Sequence, residues 1–193
     1  QKDNLESKTM YALIMKYFVI FGLIIFLGMS TFIDLFIQIL SSKYRDAVDI
    51  VPIVLLAEFF TGVYFTLSLW YKLTDKTKYG AYQGILGSVL TVAINIILIP
   101  ILGYYACAIA ILVCFIVMTV VSYFGGQKYY PINYDLKSFF FYLLTSIVLF
   151  GVYWLFRDED SPKYWLAIIV NLAFFGIIFF KEKRNFVALF KLS

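Results

Sequence analysis

Between Tyr11 and Phe180 the chain carries six apolar stretches joined by short polar segments, and this pattern limits its fold more than any other feature. The stretches run Tyr11 to Ile33, Ile50 to Tyr71, Tyr79 to Leu102, Tyr104 to Phe124, Phe139 to Phe156 and Tyr164 to Phe180. A hydrocarbon core about 30 Å thick is crossed by roughly 20 apolar residues in a helix, and the stretches meet or approach that length. Inside hydrocarbon each backbone amide must be bonded within its own segment, so these stretches are expected to be helices. Strands of a membrane barrel would be half as long and would alternate in polarity. The expected fold is therefore all-α, a polytopic membrane bundle of six transmembrane helices.

A chain with 63% hydrophobic residues and 15% charged residues has more apolar surface than a soluble domain of this size can bury. The formal charge of +4 does not indicate nucleic acid, because the basic residues lie at span ends rather than along one face. With alternating spans, Lys2, Lys8, Lys16, Lys72, Lys76, Lys78, Lys128, Lys137, Lys181, Lys183, Arg184 and Lys191 share one side. Only Lys43, Arg45, Arg157 and Lys163 fall on the other. Lys and Arg are retained on the cytoplasmic face, so both termini are expected there and the acids Asp158, Glu159 and Asp160 outside.

The resulting organisation is a cytoplasmic segment over 1–10, four spans over 11–124, a cytoplasmic loop over 125–138, two further spans over 139–180 and a basic cytoplasmic tail over 181–193. The first span is not expected to be a signal peptide, since its apolar run is too long and no small-x-small cleavage site follows. With Gln1 in place of an initiator residue, the chain is expected to begin partway into a longer protein.

Local signals refine the spans. Gly28-Met29-Ser30-Thr31 is a soft spot leading into an amphipathic stretch from Phe32 to Leu40, which either extends the helix or lies in the interface. Pro52 suits a first helical turn, while Pro100 is expected to close the third span and Gly103 to make the joint that follows. Gly80, Gly84 and Gly87 form a small-residue stripe suited to close helix packing. Trp70, Tyr71, Tyr104, Tyr105, Tyr129, Tyr130, Trp154, Tyr164 and Trp165 crowd the span ends, as interfacial rings do. Cys107 and Cys114 are seven residues apart on one helix, about 10.5 Å of rise, too far for a disulfide.

Few residues offer chemistry. The chain has no histidine, which removes the commonest general base and metal ligand. It also lacks a Gly-rich phosphate loop, a nucleophile elbow and a cysteine cluster. No enzymatic activity, metal or cofactor is expected; Asp158, Glu159 and Asp160 read as a solvated loop.

Glu58 lies inside the second span, where a carboxylate must be paired, hydrated or protonated. It is a candidate for a proton, cation or substrate contact, or for a hydrogen bond to a neighbouring helix. Asn95 in the third span is expected to bridge two helices, and with Gln83 and Thr91 it forms a polar stripe that could line an aqueous path. Tyr64 could stack on a sugar. These five residues are the candidate substrate or ion cavity.

From Tyr44 to Tyr134 the chain resembles the C-terminal part of Wzx-type polysaccharide exporters, the flippases of the multidrug/oligosaccharidyl-lipid/polysaccharide exporter superfamily. The residues carrying the likeness are Val51-Pro52, the run from Leu67 through Trp70, Tyr71 and Lys72 to Lys78, Asn95-Ile96-Ile97-Leu98-Ile99-Pro100, Gly103-Tyr104 and Gly126-Gln127-Lys128-Tyr129-Tyr130-Pro131-Ile132. Ala106-Cys107-Ala108 departs from the Gly-Ala-type run usual there, and the last two spans match only in hydropathy.

The resemblance implies transport of an undecaprenyl-linked oligosaccharide across the bacterial cytoplasmic membrane by alternating access, for surface polysaccharide or lipopolysaccharide biosynthesis. It implies a further N-terminal lobe of the same protein and places these spans last in a fourteen-span scheme. A drug or metabolite exporter of the same superfamily is the alternative within transport. A membrane scaffold that holds glycan-assembly enzymes without transporting anything is the alternative outside it.

Overall fold

The computed structural model describes the backbone of residues 2–35, 48–157 and 164–190, with side chains over 6–35, 48–157 and 164–183. Among these the chain is helical with no strand, and six helices are long and apolar enough to cross a membrane, as in a multi-pass membrane protein.

The first helix, α1 (Lys2–Thr31), ends at the Gly28-Met29-Ser30-Thr31 soft spot. The Thr31 hydroxyl donates back to Leu27 O at 2.8 Å, a bond that competes with the helix ladder and favours a bend. A bend follows at Phe32, and Ile33 to Leu35 form one further turn. The remainder of the amphipathic stretch, like Asp158, Glu159 and Asp160, lies outside the described residues.

The second span is interrupted near its C-terminal end. It divides at Ser68 into α2 (Val51–Leu67) and a short α3 (Leu69–Leu73), with Pro52 in the first turn of α2. The Lys-rich turn then closes through Asp75, whose φ of 53 is left-handed, and through Lys76 N–H donating to Tyr71 O at 2.8 Å.

Pro100 does not close the third span as expected. It sits inside α4 (Lys78–Leu102), because a proline in a last turn forfeits one backbone bond without stopping the helix. Gly103 is the stop, with φ 57 and its N–H on Ile99 O at 2.9 Å. α5 (Tyr105–Tyr129) continues helical through Gly125 and Gly126, so the connection to the next span shortens to Tyr130 through Asp135. Asp135 caps α6 (Leu136–Phe156), its Oδ1 accepting from Ser138 N–H at 3.1 Å. α7 (Tyr164–Phe190) is last.

α1 stands in the middle of the assembly. It packs on α2 to one side and on α6 and α7 to the other; α5 lies beyond α2, and α4 beyond α5. Lipid tails are as apolar as Leu, so shape rather than hydrophobicity holds such helices together. The α1–α2 seam shows how. The Phe59 ring sits where a Cβ on Gly22 would stand, 2.9 Å away, and the Phe18 ring fills the equivalent place at Gly62. Each helix thus receives a ring from the other over a glycine. Leu23, Leu27, Val63, Tyr142 and Phe174 complete the buried centre.

The packing brings the basic residues together. Lys8 lies over the Tyr130 ring, Lys76 and Lys128 over Tyr129, and Lys181 over Phe141 and Tyr142, all at one end of the bundle. This is the basic end of the molecule, and the opposite one is its far end.

Candidate functional site

α4 governs the geometry around the candidate residues. Gln83 and Gly87 are buried, and Leu86, Leu90, Thr91, Ile94, Asn95 and Leu98 are half-buried, so these positions form the face against α5. The polar stripe of Gln83, Thr91 and Asn95 therefore lies on a packing face rather than on a free wall. Tyr82, Ile85, Val89, Val92, Ile96, Ile97 and Ile101 point away from the chain, and Ile101 is 74% exposed.

The five candidates separate accordingly. Tyr64 and Gln83 come together, the Tyr64 hydroxyl donating to Gln83 Oε1 at 3.2 Å and tying α2 to α4. The Tyr64 ring packs on Phe115 and is 6% exposed, so it offers no open platform for a sugar. The Thr91 hydroxyl donates to Gly87 O in its own helix at 2.9 Å.

Among the described residues Asn95 does not bridge two helices through its carbonyl, since its buried Oδ1 has no partner there. Asn171 performs that task instead: its Nδ2 donates to Thr31 Oγ1 at 2.8 Å, joining α7 to α1. Glu58 is exposed on α2, about 10 Å along the helix from Val51. It points away from α1 and α5, so within the described residues it faces no other helix.

The glycine stripe of α4 is used in part. A Cβ on Gly87 would meet Met118 Sδ at 2.7 Å, and that on Gly84 would meet nothing within 4 Å. Close approach of α4 to α5 thus depends on Gly87. Cys114 donates its thiol toward Gly87 O at 3.4 Å and is buried, while Cys107 is exposed. Both cysteines are free.

Two charge clusters escaped the sequence reading. At the far end Arg157 Nη2 donates to Asp34 Oδ1 at 2.9 Å and Nη1 to Asp49 Oδ1 at 3.4 Å, while Tyr153 donates to Asp34 Oδ2 at 3.3 Å. Burial pulls the Arg157 pKa down, but the bonds and charges of Asp34 and Asp49 outweigh it and hold it above its ordinary value. At the basic end Glu182, fully buried, pairs with Lys16 at 2.7 Å and accepts from the Tyr142 hydroxyl at 2.8 Å. A Lys or Asp at a span end reads as interfacial, and only the tertiary fold reveals that these residues are partners.

Two hollows open between the helices at the basic end. An apolar cleft of ≈ 370 Å³ lies among α1, α2, α5 and α6, walled by Phe60, Leu67, Tyr123, Phe124, Phe139 and Leu143. A second hollow of ≈ 470 Å³ lies between α3, α4 and α5 and is lined by Trp70, Tyr79, Gln83, Lys128 and Tyr129. Trp70 is 2% exposed, so it belongs to this cluster rather than to a headgroup belt. Phe124 borders both hollows.

No group of three His, Cys, Asp or Glu able to hold a metal occurs among the described residues. Compared with protein-family models, curated proteins and solved structures, the chain matches none.

Proposed function

We propose that the chain is the C-terminal portion of a flippase that moves lipid-linked oligosaccharide across a bacterial cytoplasmic membrane by alternating access. The observation that carries this reading is the pair of uncovered surfaces on α2 and α4. Glu58 projects from the middle of an apolar helix, and the described residues leave most of the circumference of α4 uncovered. An ionised carboxylate facing hydrocarbon costs several kcal/mol, roughly 3 on insertion scales. A water-filled cavity closed by further helices removes that cost and makes Glu58 a wall residue. The upstream lobe implied by the resemblance would supply those helices.

The apolar cleft adds support, since an isoprenoid chain needs a groove without polar groups and the wall of Phe60, Phe124, Phe139 and Leu143 provides one.

The test is carried out with the intact protein in cells whose own flippase gene is deleted. Wild type is expected to restore outer-leaflet oligosaccharide, and Glu58→Gln to restore less, with an altered pH dependence. Failure of the wild-type protein to restore any would refute the assignment. Equal transport by both at every pH would keep the assignment and make Glu58 structural.

A further inference from the structure

The hollow between α3, α4 and α5 has the chemistry of an anion site, and the geometry points to a resident membrane phospholipid whose anionic headgroup phosphate is held there. This inference does not depend on the transport reading.

Three rings form the floor. Trp70 and Tyr129 stack with centroids 5.4 Å apart and planes 18° from parallel, and Tyr79 leans on both at 5.4 and 5.3 Å. The arrangement is built for Trp70 alone: a Cβ on Gly125 would stand 2.8 Å from its Cζ2, and one on Gly126 3.1 Å from its Cδ1.

The polar atoms around this floor are mostly donors. Lys76 Nζ stands 3.6 Å from the centre of the Tyr129 ring, and Lys128 Nζ stands 5.6 Å from it. The Tyr79 and Tyr129 hydroxyls share one hydrogen bond of 2.6 Å, which leaves one of their two protons for another acceptor. Among the described residues the buried Trp70 indole N–H has no acceptor. A buried donor without a partner is destabilising, and an acceptor from outside the chain relieves that.

No Asp or Glu among the described residues lines the hollow. Asp75, next to Lys76, is exposed on the turn below. The Lys128 ammonium and the Tyr79 and Tyr129 phenols line a space of ≈ 470 Å³, with the Lys76 ammonium against the Tyr129 ring at its edge, a donor set that suits a phosphate better than a neutral headgroup. A lipid supplies that phosphate because the hollow opens at a span end beside the exposed faces of Tyr82 and Phe124, along which acyl chains can lie.

The purified protein in neutral detergent is titrated in parallel with phosphatidylglycerol, phosphatidylcholine and inorganic phosphate. Bound lipid is counted by native mass spectrometry, and the thermal midpoint is followed alongside. Phosphatidylglycerol is expected to remain bound and raise the midpoint, with phosphatidylcholine and inorganic phosphate doing neither. Lys76→Gln with Lys128→Gln is expected to weaken phosphatidylglycerol binding about tenfold or more. The same charge change at exposed Lys137→Gln with Lys183→Gln is expected to leave it intact.

Equal retention of phosphatidylglycerol and phosphatidylcholine would overturn the proposal, as would equal weakening by the two double variants. Stabilisation by inorganic phosphate as strong as by phosphatidylglycerol would assign the site to a free anion and overturn the lipid. Lys128 is exposed and Lys76 half-buried on the turn, and neither substitution removes a ring of the Trp70, Tyr79 and Tyr129 cluster.

Discussion

Arg157 reaches Asp34 across 123 residues of chain, at 2.9 Å, and with 8% and 9% of their side chains exposed the two form a buried pair. The contact fixes the far end of α6 to the turn that follows α1. A buried pair is weak evidence of net stabilisation, but removing one partner strands the other charge. Arg157→Ala is therefore expected to cost about 3 kcal/mol in SDS titration of the protein in mixed micelles, followed by far-UV circular dichroism. Asp34→Ala together with Arg157→Ala should cost less than the two single changes summed, and strict additivity would mean the pair is not coupled.

The glycines of the α1–α2 seam offer a second test. Gly62→Ala forces the Phe18 ring out of its seat and is expected to destabilise by about 1–3 kcal/mol. Gly176 has nothing within 4 Å of its would-be Cβ, so Gly176→Ala should be neutral or stabilise by up to about 1 kcal/mol through helix propensity. Equal midpoints for the two variants would show that the ring-over-glycine contact is not used.

Tyr64→Phe removes the donor from Gln83 and leaves a buried amide oxygen without its partner. The expected loss is about 0.6 kcal/mol, the usual size of an interhelical bond in membranes. Adding Gln83→Leu, which removes the stranded oxygen, should recover part of it. A further loss in the double variant would mean that Gln83 serves another contact.

Both ends of the pH range should be felt at the start of α6. The hydrogen bond from Ser138 holds the Asp135 carboxyl below its ordinary value. The cap therefore contributes fully above the unfolded value, about 3.9, and is lost as pH falls through the lower folded one. Burial pushes the neighbouring Tyr134 phenol up to about 12. Its contribution is complete below the unfolded value of about 10 and declines as pH rises toward the folded one. Asp135→Ala is expected to cost about 1 kcal/mol at neutral pH and to flatten the acid limb of stability. Tyr134→Phe should flatten the alkaline limb, and unaltered limbs would show that neither group is linked to folding.

The sequence made the helices legible because hydrocarbon allows no other backbone for a run such as Ile85 to Leu102. Their partners were far less so. Period and hydropathy distinguish one face of a helix from another only when one face is polar, and Val89, Ile96 and Ile97 look the same whether they meet lipid or protein.

The polar residues misled for a related reason. Asn95 and Asn171 are both amides within apolar runs, yet Asn171 is the one whose amide reaches across to another helix, and that depends on where Thr31 lies after the chain has folded. Trp70 at a span end read as a headgroup ring. Gly125 and Gly126, two helices further along the chain, make room for it, and neither glycine points to Trp70 in sequence.

The slender attachment of α4 bears on how the protein is made. Among the described residues α4 packs chiefly on α5, so those contacts add little to its retention, and its place in the membrane depends first on its own partition from the translocation channel into lipid. Substitutions on its outer face should then act before folding begins. Ile96→Lys adds roughly 3 kcal/mol to the partition of this segment, enough to leave it outside the bilayer and invert the segments synthesised after it. The same change on the surface of a soluble helix would pass unnoticed. For α4, insertion comes before packing as the step at which such a substitution is felt.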